Sequence, residues 1–261
     1  MIDYKLIDNN ENNTIIFVHG FTQNYTIFNK QAEFFSDHFN CLLINLRGHG
    51  ESIHNGPFGI VEYTEDIIDV LSSLELNNFL YWGTHTGTAI GLNLFFKNIF
   101  HINGLILEGT VIPGYNTPGI NKNIERAKDV RSKKGLDIAI QDWYNNSEWF
   151  EYMRKNPENT RSSEHLRILE SFKGTPWKTK LKAETLPSFV EKILEINIPI
   201  LVYNGEYDMQ EFYEMAEIIS KNQNVTKYII PEAGGFPLWE NPNFVNRIVE
   251  EWLQKQKESF I

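Results

Sequence analysis

The stretch Trp82-Gly83-Thr84-His85-Thr86-Gly87-Thr88-Ala89 joins a run that reads as a strand (residues 78–83) to one that reads as a helix (residues 86–96). A G-x-X-x-G frame between strand and helix describes a sharp turn whose two glycines let strand, turn and helix pack closely. The residue at its centre projects above the sheet, and here it is His85. Such a residue has a positive φ, a region that Asn, Asp and His tolerate better than most. The turn predicts a parallel α/β architecture and puts an imidazole at the most exposed point of any site above it.

Outward from this turn, short apolar runs alternate with segments of helical period, the pattern of a parallel sheet flanked by helices. Thr14 to Val18 reads as a buried strand ending in His19-Gly20-Phe21. Residues 41–46 form the next, followed by Arg47-Gly48-His49-Gly50-Glu51-Ser52. Ile67, Ile68, Val70, Leu71 and Leu74 recur at helical spacing within residues 61–74. A strand at 104–107 ends at Glu108. Residues 113–187 show no clear strand and contain Trp143, Trp149 and Trp177, so they read as a helical insertion. The rhythm then resumes with a strand at 199–204, a helix at 210–221, a strand at 225–230 and a closing helix at 243–255. The expected organisation is a core of residues 1–112 and 188–261, with a mostly parallel central sheet flanked by helices. A helical cap, residues 113–187, is inserted after the strand that ends at Glu108.

Composition narrows the partners. A chain of 261 residues fits one domain of the larger kind. A net charge of −10 argues against nucleic acid. No apolar run is long enough to span a bilayer and no basic-then-apolar leader opens the chain, so no membrane association and a cytoplasmic location are the expectations. The single cysteine, Cys41, excludes an intrachain disulfide and reads as a buried strand residue. Charge is uneven: residues 113–185 carry a net +4 and the remainder a net −14. That asymmetry suits an anionic ligand, although a solvated helical surface is the plainer reading. Ligand spacings such as H-E-x-x-H are absent, and neither a metal nor a cofactor is expected. Oligomeric state is not legible.

Five signals fall in one order: His19-Gly20-Phe21, the Arg47 to Ser52 turn, the His85 turn, Gly205-Glu206-Tyr207-Asp208, and the segment from Pro231 to Pro242 before the last helix. Together they make the chain resemble the α/β-hydrolase fold over essentially its full length. The flavour is similar to small capped esterases, carbon–carbon bond hydrolases and the menaquinone-pathway synthase branch. The resemblance implies a serine nucleophile, an orienting acid and a histidine base in that chain order. It places the acid at Asp208, with Glu108 as an alternative acid position. It places the nucleophile at His85, where serine is missing. It places the base at Gly235, within Ala233-Gly234-Gly235-Phe236-Pro237, and no histidine follows His165. The triad is therefore degenerate at two of its three positions. The oxyanion hole implied by the family uses backbone N–H groups, by position those of Phe21, after Gly20, and Thr86.

At a helix N-terminus the positive dipole end disfavours imidazolium, so His85 is expected to rest neutral, donating one hydrogen bond and accepting another. Two functions compete. The first is a non-hydrolytic binding or regulatory protein that takes a small carbonyl-bearing or anionic molecule between core and cap. The second is an enzyme using His85 with Asp208 or Glu108 for acid–base chemistry of a lyase, isomerase or atypical hydrolase. Against roles in chemistry, Glu108 reads as a strand-end tie and Asp208 as a turn-stabilising carboxylate. Trp143, Trp149 and Phe236 are candidate pocket residues whose plainer role is packing. Phe236 and Trp239 flank the missing base and are placed to fill its space, and His165 is expected at the surface.

Overall fold

The computed structural model describes residues 1–256. Seven strands form one sheet: β1 (Tyr4–Ile7), β2 (Thr14–Val18), β3 (Asn40–Ile44), β4 (Asn78–Thr84), β5 (His101–Glu108), β6 (Ile200–Gly205) and β7 (Val225–Ile230). Their spatial order is β1-β3-β2-β4-β5-β6-β7. Only the β1–β3 pairing is antiparallel; every other neighbouring pair is parallel. β2 is buried along its whole length, as a near-continuous apolar strand covered on both faces must be.

Among the described residues eleven α-helices follow in chain order: α1 (Asn29–Phe35), α2 (Ile60–Ser73), α3 (Thr86–Lys97), α4 (Pro118–Lys134), α5 (Leu136–Asn146), α6 (Glu151–Lys155), α7 (Ser162–Glu170), α8 (Thr175–Lys178), α9 (Gln210–Ile219), α10 (Pro237–Glu240) and α11 (Pro242–Lys255). Four of them, α4, α8, α10 and α11, start with proline in the first turn, where its missing N–H has no helical acceptor to lose. The segment between β5 and β6 holds α4 to α8 and no strand. No described helix is long and apolar enough to cross a membrane.

The sheet reverses its direction of growth at β2: the chain steps outward to β3, then returns across β2 to β4. In parallel sheets the crevice beyond the carboxyl ends of the strands at such a switch is where ligands bind. His19 and Gly20 follow β2 and His85 follows β4, so the fold brings the first and third sequence signals to that crevice. Glu108, at the end of β5, and Asp208, just after β6, continue the same edge. β5 begins at His101, three residues before the expected start at 104, and its pairing with β4 shifts register between Phe79 and Leu80.

Candidate functional site at the carboxyl edge of the sheet

The turn after β4 is held by backbone atoms. A Cβ on Gly87 would lie 2.1 Å from the Val18 carbonyl oxygen, and one on Gly83 would lie 2.6 Å from the carbonyl of Gly87. Only glycine allows that approach. Between them His85 takes φ 45° and ψ −111°, a conformation costing about 1–3 kcal/mol that persists only where its surroundings over-determine it. Those surroundings are explicit. The His85 N–H donates to the Glu108 carbonyl at 2.9 Å, and its own carbonyl accepts from the Thr88 N–H at 2.8 Å and the Thr88 hydroxyl at 2.6 Å. The Thr88 hydroxyl oxygen in turn accepts from the Val111 N–H at 2.7 Å, tying the turn to the chain beyond β5.

The imidazole of His85 lies between Gly20 and Gly109, close enough that a Cβ would meet it at 3.2 Å from Gly20 and 2.8 Å from Gly109. Aromatic rings cover it: Phe212 at 4.9 Å, Phe236 at 5.1 Å and Trp149 at 6.4 Å between centroids. His85 is 6 % exposed and its Nε2 has no hydrogen-bond partner. Burial pushes its pKa down to about 3, while a hydrogen bond with the Gly235 backbone pulls weakly the other way. The expectation of a neutral imidazole stands, and desolvation is its largest cause.

Neither carboxylate proposed as a partner is hydrogen-bonded to this ring. Asp208 receives the Asn204 side-chain amide and the Met209 N–H, each at 2.8 Å. The residue is half-buried, but its carboxyl is enclosed, and desolvation raises it to about 7 against those two hydrogen bonds. Glu108 is fully buried; its Oε2 accepts the Leu238 N–H at 2.8 Å, and the Tyr203 hydroxyl is a second hydrogen-bond partner of the carboxyl. Desolvation holds its carboxyl well above the usual range, and the nearby acids Asp208 and Glu240 push the same way.

Gly235, where the sequence resemblance places the base, is closed from the other side. A Cβ there would lie 2.6 Å from the Trp149 carbonyl oxygen and 3.2 Å from its Cα. Backbone from the segment between β5 and β6 thus occupies the space that a side chain at 235 would need. Phe236 turns onto His85 at 5.1 Å and stacks on Phe150, also at 5.1 Å.

With this geometry in place, comparison with known proteins is direct: residues 13–242 match the alpha/beta hydrolase fold family. The chain belongs to the α/β-hydrolase fold family. It is 24% identical to the 2-succinyl-6-hydroxy-2,4-cyclohexadiene-1-carboxylate synthase of Escherichia coli, covering 87% of this chain and 88% of that one. It is 22% identical to the pimeloyl-[acyl-carrier protein] methyl ester esterase of Wigglesworthia glossinidia brevipalpis, covering 92% and 93%. Among solved structures, a malate-bound thermophilic esterase from Thermogutta terrifontis superposes with a TM-score of 0.79 at 23% identity, over 97% of this chain and 94% of that chain.

Within this α/β-hydrolase frame, the remaining histidines divide by role. His19 and His49 hold the loops that follow β2 and β3: His19 Nδ1 donates to the Gly20 carbonyl at 2.7 Å and its Nε2 accepts the Leu46 N–H at 3.0 Å. His49 Nδ1 donates to the Arg47 carbonyl at 3.0 Å and its Nε2 accepts the Thr22 N–H at 3.3 Å. Those partners require neutral rings, and burial depresses both, His49 to about 4. Gly20 abuts His85 and Thr86 follows it, so Phe21 and Thr86, whose N–H groups the family would use, belong to the two segments that flank the imidazole.

His165 departs from its expected surface position. It is fully buried, with Nε2 2.9 Å from Gln23 Oε1 and Nδ1 3.1 Å from Met153 Sδ. Its ring lies 4.7 Å from that of Phe236, and burial pushes its pKa down to about 3. Trp143 and Trp149 pack together at 5.1 Å, and the Trp143 Nε1–H donates to the Thr22 hydroxyl at 3.1 Å, which ties this aromatic pair to the loop after β2. Two site residues escaped sequence reasoning. Phe212 sits one turn past Asp208 in an ordinary amphipathic helix. Glu240 is one acid in an otherwise apolar run, Phe236-Pro237-Leu238-Trp239-Glu240, and that isolation was its only available signal.

Proposed function

We propose that this protein is a non-hydrolytic member of its family, which binds a small carbonyl-bearing molecule at the His85 crevice beneath a cap of residues 113–187. The observation that supports this most is the 2.6 Å separation between the Trp149 carbonyl and a Cβ at Gly235. It leaves no room for a base, in a site whose elbow residue is already an imidazole. Recognition then falls to hydrogen bonding by neutral His85 and the flanking backbone of Phe21 and Thr86, in apolar surroundings where such bonds discriminate well. Of the two ligand classes the sequence suggests, the carbonyl-bearing one fits better. Glu108, Asp208 and Glu240 stand around the crevice, and none of them forms an ion pair among the described residues.

Acid–base chemistry by His85 with Asp208 or Glu108 has less support, because both carboxyls spend their hydrogen bonds elsewhere. The activities named for the relatives depend, in the logic of the fold, on a nucleophile and a base that positions 85 and 235 do not supply.

The test combines labelling with ligand binding. A fluorophosphonate should leave the protein unmodified, and p-nitrophenyl esters should turn over no faster than in buffer. A screen of short aldehydes, ketones and esters by thermal shift should find ligands whose affinity changes only a few-fold in His85→Ala. Stoichiometric fluorophosphonate labelling, or a substrate whose turnover His85→Ala abolishes, would refute the proposal.

A further inference from the structure

Glu240 closes α10 and is only 6 % exposed. Its Oε2 accepts the Gly234 N–H at 2.6 Å and the Phe236 N–H at 3.2 Å, while its Oε1 is buried without a partner. Two residues further along the same segment, the Leu238 N–H goes to Glu108. Two buried carboxyls therefore take three amides of residues 234–238. That segment lays Phe236 on His85 and holds Gly235 under Trp149.

The groups facing Glu240 offer it no cation. Asp208 comes from the turn after β6, Glu108 from the end of β5 and Tyr152 from α6. The imidazoles of His85 and His165, on the far side of Phe236, are neutral. Arg161 approaches from the start of α7, but its guanidinium lies 4.0 Å over the Trp239 ring, donates to the Trp239 carbonyl at 2.7 Å and has its ion pair with Glu164 at 3.9 Å. The Gly234 and Phe236 amides favour the carboxylate, but burial with one orphan oxygen, two acidic neighbours and no counter-charge outweighs them, so the group keeps its proton in that place.

We propose that Glu240 is a proton-dependent latch: protonated, it keeps residues 234–236 and the Phe236 ring closed over His85, and ionised, it favours a form in which that segment lifts and His85 becomes accessible. The idea deepens the functional reading above, since His85 is the floor of the ligand site there, but its test needs no ligand. Burial raises the Glu240 carboxyl to about 8, so by linkage the open form gains up to about tenfold per pH unit between ~4.5 and ~8 and levels off above. The sign follows from the open, hydrated carboxyl having released its proton where the closed one has kept it.

Diethyl pyrocarbonate reads the opening. A neutral imidazole nitrogen attacks one carbonyl carbon, ethyl carbonate leaves with the imidazole proton, and it breaks down to ethanol and carbon dioxide. In the open form burial no longer depresses the ring, so its own deprotonation near the ordinary value of ~6.5 contributes about fourfold between pH 6 and pH 9, and a rise beyond that reports access. Peptide mass spectrometry on the full chain, with rates corrected for reagent hydrolysis, should show His85 modified at least about tenfold faster at the upper limit. Exposed His38 and His101 should react throughout as reagent controls, and buried His19 and His49 should stay protected. Glu240→Gln, which cannot ionise, should cut the His85 rise to the roughly fourfold that its own deprotonation gives across that range. Hydrogen exchange at the Gly234 and Phe236 amides, corrected for base catalysis, gives the same reading in the unmodified protein if that variant does not fold. A wild-type rise of no more than about fourfold, a larger rise that survives in Glu240→Gln, or parallel labelling of His19 and His49 would each overturn the latch. A protein that shows the latch but binds no carbonyl compound would overturn the ligand reading alone.

Discussion

The elbow at residues 83–87 and the loop at residues 233–236 both meet the rest of the chain through close glycine contacts, and they differ in the room left for a side chain. At the elbow, Gly83 and Gly87 let the turn press against β2 and its own helix, and His85 still projects above the sheet at φ 45°. At the loop, Trp149 backbone stands where the first carbon of a side chain at 235 would go. Backbone-held geometry tolerates a change of the residue it displays. A position whose neighbour has closed in on it does not.

The largest expected effect comes from attacking the elbow frame itself. In Gly87→Ala the new methyl would meet the Val18 carbonyl at 2.1 Å, and β2 cannot yield without disturbing its register with β4. A loss of at least about 3 kcal/mol in urea unfolding is expected; a loss below about 1 kcal/mol would show that the turn is not held by this approach. Next comes the loop. Gly235→His should cost about 2–3 kcal/mol through displacement of Trp149, and the double variant H85S/G235H should hydrolyse p-nitrophenyl acetate no faster than either single change. A folded double variant with burst kinetics would mean that the closure is reversible and the contrast between the two regions superficial.

A pH titration of stability sharpens the comparison further. Asp208 and Glu240, raised to about 7 and about 8, keep protons that the unfolded chain releases, so stability falls as pH rises from the ordinary carboxyl range through those values. His85 and His165, depressed to about 3, and His49, depressed to about 4, refuse protons that the unfolded chain accepts, so stability falls as pH drops from about 6.5 through those values. A maximum near pH 6 is expected in thermal scans, with losses on both sides of up to about 1.4 kcal/mol per pH unit for each fully buried group. A plateau reaching about pH 9 would contradict the acid half of this account. The smallest effect belongs to His85→Gly, where relief of a positive φ offsets lost ring packing and stability should stay within about 1 kcal/mol of wild type by chemical denaturation.

Much of this plan could be read from single segments. The strand runs, the two elbow glycines and the order of the five signals are local patterns, and each led to an element at nearly the expected place. The start of β5 is not legible in the sequence because His101 and Ile102 carry little apolar signal and pair with β4 only through the sheet, while Asn103 falls at the register shift. His165 was misjudged because its burial depends on Gln23 and Met153, 142 and 12 residues away in the chain. Glu240 left almost no trace in the sequence, since an acid that accepts two backbone amides looks the same there as one in water.

By itself the sequence determined that an imidazole stands at the elbow and that position 235 has no side chain, because residue identity at a motif position is a covalent fact. Only the tertiary structure decided what those substitutions mean. Trp149, Phe212 and Phe236 reach His85 from three separate parts of the chain, and their convergence sets the desolvation that keeps the ring neutral and the packing that fills the position at 235. Desolvation and packing are properties of neighbours in space, and a linear chain does not state its neighbours.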